Sequence, residues 1–154
     1  MKIRNRKLIL EQLDAKIKAF KQVANIPKPG NGWIQSIREG LHMTLRQLGK
    51  KMNISAPTLK GLERSEQQSS ITLKSLEQVA EVLDMKVMYA LVPKEGTLQD
   101  MVDAKAWEKA REIVNRTANT MSLEDQKSEQ SRLMKAFQEK KNELKNEIPK
   151  FLWD

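Results

Sequence analysis

The sequence predicts a mainly α-helical protein, with a run of four short helices, one short strand after them, and extra helices toward both ends. Three observations carry this prediction. Apolar residues recur at intervals of three and four along most of the chain, the period of a helix with one buried face. Three of the short periodic segments are each preceded by a Ser or Thr, whose hydroxyl can accept from the free amides of a first helical turn. A single stretch, 85–93, replaces this period with β-forming residues.

In chain order, Leu10, Leu13, Ile17, Phe20 and Ala24 make 6–25 an amphipathic helix. Asn25–Gly32, with two prolines and two glycines in eight residues, ends it. Short helices follow at Trp33–Leu41, Leu45–Met52, Ala56–Ser65 and Leu73–Leu83. Thr44, Ser55 and Thr72 occupy the N-cap positions of the last three. Pro57 falls in a first turn, where its missing N–H costs nothing.

Val87, Tyr89 and Val92 mark 85–93 as a strand ended by Pro93, the alternative being a further turn of the preceding helix. A lone strand has open backbone groups on both edges. The same strand of a second copy, antiparallel about a two-fold axis, is the simplest partner, so a homodimer is expected. From Leu98 an apolar face of Met101, Val102, Ala106, Trp107, Ala110, Ile113 and Val114 predicts a long helix. A second, from about Leu123 to Ile148, has sparse apolar positions at Leu133, Ala136, Phe137, Leu144 and Ile148. The terminal Phe151, Leu152 and Trp153 are expected to dock on the body of the protein or on a partner. The resulting division is 1–32 (helix and linker), 33–84 (short-helix domain), 85–93 (dimerisation strand) and 94–154 (helical region).

Composition narrows the function. The 154 residues hold no cysteine, which excludes disulfides, thiolate zinc sites and cysteine nucleophiles. No apolar run approaches the ~20 residues of a membrane helix, and "MKIRNRKLIL" lacks the apolar core and cleavage site of a signal peptide. A cytoplasmic protein with no membrane partner is expected. His42, the only histidine, lies in the turn between the first two short helices, where a surface or phosphate-facing role outweighs catalysis. With no Gly-rich phosphate loop and no paired-carboxylate motif, no enzyme activity, catalytic residue, cofactor or metal is expected.

The net charge of +8 is unevenly placed. Residues 1–93 carry 16 Lys/Arg against 8 Asp/Glu, and residues 94–154 carry 12 against 12. The excess lies wholly in the first part and points to a polyanion there, although such a balance also serves solubility. Lys2, Arg4, Arg6 and Lys7 are either a solvated start or a minor-groove arm. Trp33 and Trp107 are expected to pack their respective regions.

The block "MTLRQLGKKMNISAPTLKGLE" has the anatomy of a helix-turn-helix. Leu48 and Met52 bury one face of its first helix, and Leu59 and Leu62 one face of its second. Asn53 stands in the turn, where a residue tolerant of left-handed dihedrals is needed. The outward positions of the second helix, Ala56, Pro57, Thr58, Lys60 and Gly61, are small, polar or cationic. Such a blunt helix can enter a major groove about 12 Å wide.

Residues 33–84 resemble the Xre/Cro/phage-repressor helix-turn-helix family over all of its core helices, which implies a lambda-repressor-like bundle that binds double-stranded DNA. That resemblance places Ala56, Pro57, Thr58 and Lys60 at bases or adjacent phosphates. The family often has Gln at the first position of its second helix, where it meets phosphate; here Leu45 stands there. Arg46, Lys50, Ser55 and Arg64 are then the candidates for holding the DNA backbone. Arg38 and Glu63 match a structural salt bridge of the family and are assigned to the fold. Base reading is thin, with Ala56 and the Thr58 methyl suited to a thymine methyl and Lys60 to guanine.

More narrowly, "GWIQSIREGLHMT", "ITLKSLEQVAEVLDMKVMYALVP" and "TMSLEDQ" resemble the mobile mystery protein A family over roughly residues 1–130. That resemblance implies an antitoxin-like partner of a Fic-domain protein, of a class that transfers AMP to targets, repressing its own operon in a bacterial cytoplasm. Thr120 and Glu124 approach the Ser/Thr-and-Glu pattern with which some antitoxins block a Fic ATP site, but Asp125 replaces the final Gly/Asn. The competing reading makes Ser122 the N-cap of the last helix. Two functions follow as expectations: an autorepressing DNA-binding regulator, and a module whose residues 97–154 restrain a Fic-type toxin.

Overall fold

The computed structural model describes residues 3–118 and 126–154. They form seven α-helices and a terminal 3₁₀ turn: α1 (Ile3–Lys21), α2 (Trp33–Gly40), α3 (Leu45–Met52), α4 (Ala56–Gln67), α5 (Leu73–Val82), α6 (Leu98–Ala118), α7 (Gln126–Glu147) and Lys150–Trp153. The mainly helical fold class is therefore as expected. The strand is not: no strand forms among the described residues, and 85–93 has no regular structure. A strand exists only through its ladder, and the described residues hold no second strand to supply one.

The chain divides into two compact units, residues 25–90 and residues 1–24 with 91–154. In the first, α2 to α5 surround Ile34, Leu48, Leu59 and Val79, with Met43, Leu45, Met52, Ile54 and Leu62 packed against them. These helices are only 8 to 12 residues long, too short to hold in isolation, and side chains close their ends. Thr44 accepts from the Gln47 amide while the Gln47 side chain accepts from the Thr44 amide, a full capping box. Ser55 accepts from the Thr58 amide and Thr72 from the Ser75 amide. Helix α2 begins at Gly32, which offers no side chain. Its amides at Trp33 and Ile34 instead donate to the two carboxylate oxygens of Glu66, at 2.7 and 2.8 Å. Gly32 has φ 79°, and a Cβ there would lie 2.9 Å from a Glu66 oxygen, so glycine is required on both counts.

In the second unit, α6 and α7 pack through Val102, Ala106, Ala110 and Leu144. The two alanines let the helices approach closely. Leu152 of the terminal turn is fully buried in this core, whereas Phe151 and Trp153 remain about half exposed. The tail thus docks on its own unit through its middle residue. Trp107 meets Phe137 edge to face at 6.1 Å and carries the Arg111 guanidinium 5.3 Å from its ring centroid.

Helix α1 belongs to this unit and serves the ends of its neighbours. Asp14 accepts from the Leu98 and Gln99 amides at the start of α6 (2.8 and 3.2 Å), and Arg6 donates to the Glu147 and Ile148 carbonyls at the end of α7 (2.6 and 3.1 Å). A carboxylate at a helix N-terminus and a cation at a C-terminus both match the helix dipole. Arg6 is therefore neither a solvated residue nor a free arm. Lys21 donates to the Gly96 carbonyl.

Candidate nucleic-acid interface

The α3–turn–α4 motif is set by a few local constraints. Asn53 adopts the left-handed conformation (φ 56°) that ends α3, as its place in the turn predicts. The Ile54 amide donates to the Gly49 carbonyl at 2.9 Å. A Cβ on Gly49 would stand 2.8 Å from the Ile54 carbonyl oxygen, so the turn closes only over glycine. Sequence reasoning passed over Gly49, and also over Gln47, whose T-x-x-Q spacing from Thr44 is a legible capping signal.

Leu59 is fully buried and Leu62 half-buried beneath α4, and Glu63 and Glu66 are buried on the same side, which leaves the opposite face outward. Pro57, Thr58, Lys60, Gly61 and Arg64 are exposed and Ala56 is partly so. The Ser55 and Thr58 hydroxyls lie 2.8 Å apart, which holds the cap rigid at the exposed N-terminal end. That end presents the positive pole of a 12-residue helix. On α3, Arg46 and Lys50 are exposed. Leu45 is not available to a phosphate at all: it packs against the core, and so exchanges the contact that Gln makes in the family for burial.

The Arg38–Glu63 bridge is present and buried. The Arg38 Nε donates to Glu63 Oε1 at 2.6 Å and Nη2 to Oε2 at 3.3 Å, with Glu63 fully buried. Nη1 donates to the Met43 carbonyl at 2.9 Å, which ties the α2–α3 turn to α4. The bond to Glu63 raises the Arg38 pKa above its ordinary value, so the guanidinium keeps its charge. Lys60 Nζ stands 3.7 Å from Glu63 Oε2, making it the one candidate DNA cation that also leans on the fold.

The remaining cations of this surface differ. Among the described residues, Arg46, Lys50, Lys51, Arg64 and Lys74 have no carboxylate partner. Their charge is not neutralised from within and is available to an external anion. His42 is exposed, with φ 55° in the α2–α3 turn. Thr120 and Glu124 lie outside the described residues. No helix among the described residues is long and apolar enough to cross a membrane.

Comparison with known protein families matches residues 34–89 to the helix-turn-helix family. Neither the curated proteins nor the solved structures compared give a match. The matched span contains α2 to α5, the buried Arg38–Glu63 pair, the glycine-closed turn and the exposed N-terminal end of α4, and it is an Xre/Cro-type helix-turn-helix domain, a DNA-binding regulatory module.

Proposed function

We propose that the protein is a sequence-specific transcriptional regulator that represses its own operon as a homodimer, with α4 in the major groove. The observation that carries this reading is the exposed, Ser55-capped end of α4 beside cations that no carboxylate among the described residues neutralises. Ala56, Pro57, Thr58 and Lys60 read bases or adjacent phosphates; Arg46, Lys50, Ser55 and Arg64 hold the backbone. Few of these side chains can make bidentate base contacts, so phosphates supply much of the affinity and each lost contact lowers the salt slope by about 0.9. A dimer adds specificity by reading two half-sites about one helical turn apart.

Fluorescence anisotropy on the DNA upstream of the gene, against a scrambled duplex at low and near-physiological salt, tests this. Selective binding that survives the higher salt is expected, and Thr58→Ala/Lys60→Ala should abolish it. Equal binding to both duplexes that vanishes with salt would leave only a charged surface.

The resemblance to mobile mystery protein A supports a finer reading, an antitoxin paired with a Fic-type toxin. The neutral balance of residues 94–154 and the exposed Trp107 and Met134 beside Arg111 support protein binding by that region. In the alternative form, restraint of the toxin by residues 97–154 is the main activity and DNA binding is secondary. The Thr58→Ala/Lys60→Ala protein should then still co-purify with a Fic-domain protein encoded beside it; loss of that association together with DNA binding would overturn the division of labour.

A further inference from the structure

The turn that closes α5 ends with a backbone hydrogen bond from the Met85 amide to the Ala80 carbonyl at 2.8 Å. Residues 86–92 then form none with any described residue. This open edge carries large apolar side chains in water: Met88 is 65% and Tyr89 68% exposed. Beside it runs a groove of about 390 Å³ whose walls include Trp33, Ile37, Leu76, Ala80, Leu83 and Met88, and whose only charged lining residue is Lys86. Trp33, 48% exposed, is left half-covered on this face. Unpaired backbone groups and an exposed apolar groove are each features that folded proteins cover.

We infer that segment 85–90 and the α2/α5 groove form one self-complementary interface, occupied by the same surface of a second copy. The inference rests on the dimeric reading above and assigns the surface that makes the dimer. The same few residues supply both the open edge and one wall of the groove, so a single two-fold operation covers both in each copy. Antiparallel pairing centred on Met88 sets Val87 opposite Tyr89, a β-branched residue against an aromatic one. It also sets Lys86 opposite Ala90, whereas centring on Lys86 would bring two like charges together. The second copy thereby contributes the other recognition helix, without which the sparse base contacts of one α4 read only half a site.

The absence of cysteine makes the interface directly readable. Antiparallel partners have Cα atoms about 4.5–5.5 Å apart, within the roughly 4.4–6.8 Å that a disulfide spans. Met88→Cys should therefore cross-link under mild oxidation at least about tenfold faster than Leu41→Cys, an equally accessible control (56% exposed). Met88→Asp should weaken dimerisation in sedimentation equilibrium by about tenfold or more, with unchanged helical circular dichroism because residue 88 is outside the core. A wild-type protein that stays monomeric, alone and on operator DNA, overturns both the dimer and this surface. A wild-type dimer in which Met88→Cys links no faster than Leu41→Cys and Met88→Asp changes nothing overturns the surface alone, and the dimer then uses another face.

Discussion

The two units solve the same problem, closing helices and disposing of charge, in opposite ways. Residues 25–90 build with helices of 8 to 12 residues and bring polar groups inside: Glu63 and Glu66 are buried, and both tie α4 to other elements. The unit containing α6 and α7 uses helices of 19 to 22 residues and keeps its ion pairs outside. Lys105–Glu108, Arg116–Glu112, Lys140–Glu143 and Lys145–Asp103 all lie on its surface. Short helices need buried polar ties because their own hydrogen bonds cannot hold them. Long helices need only a narrow apolar stripe. The difference extends to function: the long-helix unit neutralises many of its cations internally, while the short-helix unit leaves most of its outer ones unpaired.

Glu63→Ala would test this comparison most severely. It strands the buried Arg38 charge and should cost about 3–5 kcal/mol. Residue-resolved hydrogen exchange under mild denaturant should show protection lost in 33–83 and kept in α6 and in 133–147; equal loss throughout would mean the units do not respond separately. Leu152→Ala probes the other core and should cost about 2–5 kcal/mol, whereas Trp153→Ala should stay within about 0.5 kcal/mol. The reverse order in denaturant melts would show that the tail acts through its exposed face. Glu66→Ala leaves two amides of α2 without an acceptor and should cost about 1–3 kcal/mol.

The smallest effect sharpens the contrast between buried and exposed ties. The Asp100 pKa is lowered, first by its hydrogen bond from the Thr97 hydroxyl and then by that from the Thr97 amide. A depressed carboxylate stabilises fully above its unfolded pKa of about 3.9 and loses that contribution as pH falls through the lower folded value. Asp100→Asn should therefore lower stability slightly at neutral pH, with the difference from the parent vanishing as pH falls below ~4 and the acid limb flattened accordingly.

What the sequence disclosed follows how far apart the interacting groups lie. The caps at Thr44, Ser55 and Thr72 and the left-handed Asn53 were legible because each is satisfied within three or four residues. The Arg38–Glu63 pair was legible only through family resemblance. Glu66 was not, since it caps amides about thirty residues upstream, and neither was Asp14, whose partners lie 84 and 85 residues away. Val87, Tyr89 and Val92 read as a strand by composition, and no strand forms there, because composition cannot provide the neighbour that makes one. The burial of Leu45 and Leu152 likewise depends on elements that no local pattern names.

Gly49 separates the joint of the motif from its exposed face. The close approach of the Ile54 carbonyl fixes how α4 departs from α3, while Pro57 and Thr58 point away from the core. The cap at Thr58 uses its backbone amide, which most residues would supply equally well. Under the proposed function, descendants of this chain could thus acquire a new operator by exchanging residues 57 and 58, and would be held at position 49 to the one residue without a side-chain carbon. Divergence in such a lineage should be fastest beside the site where it is slowest.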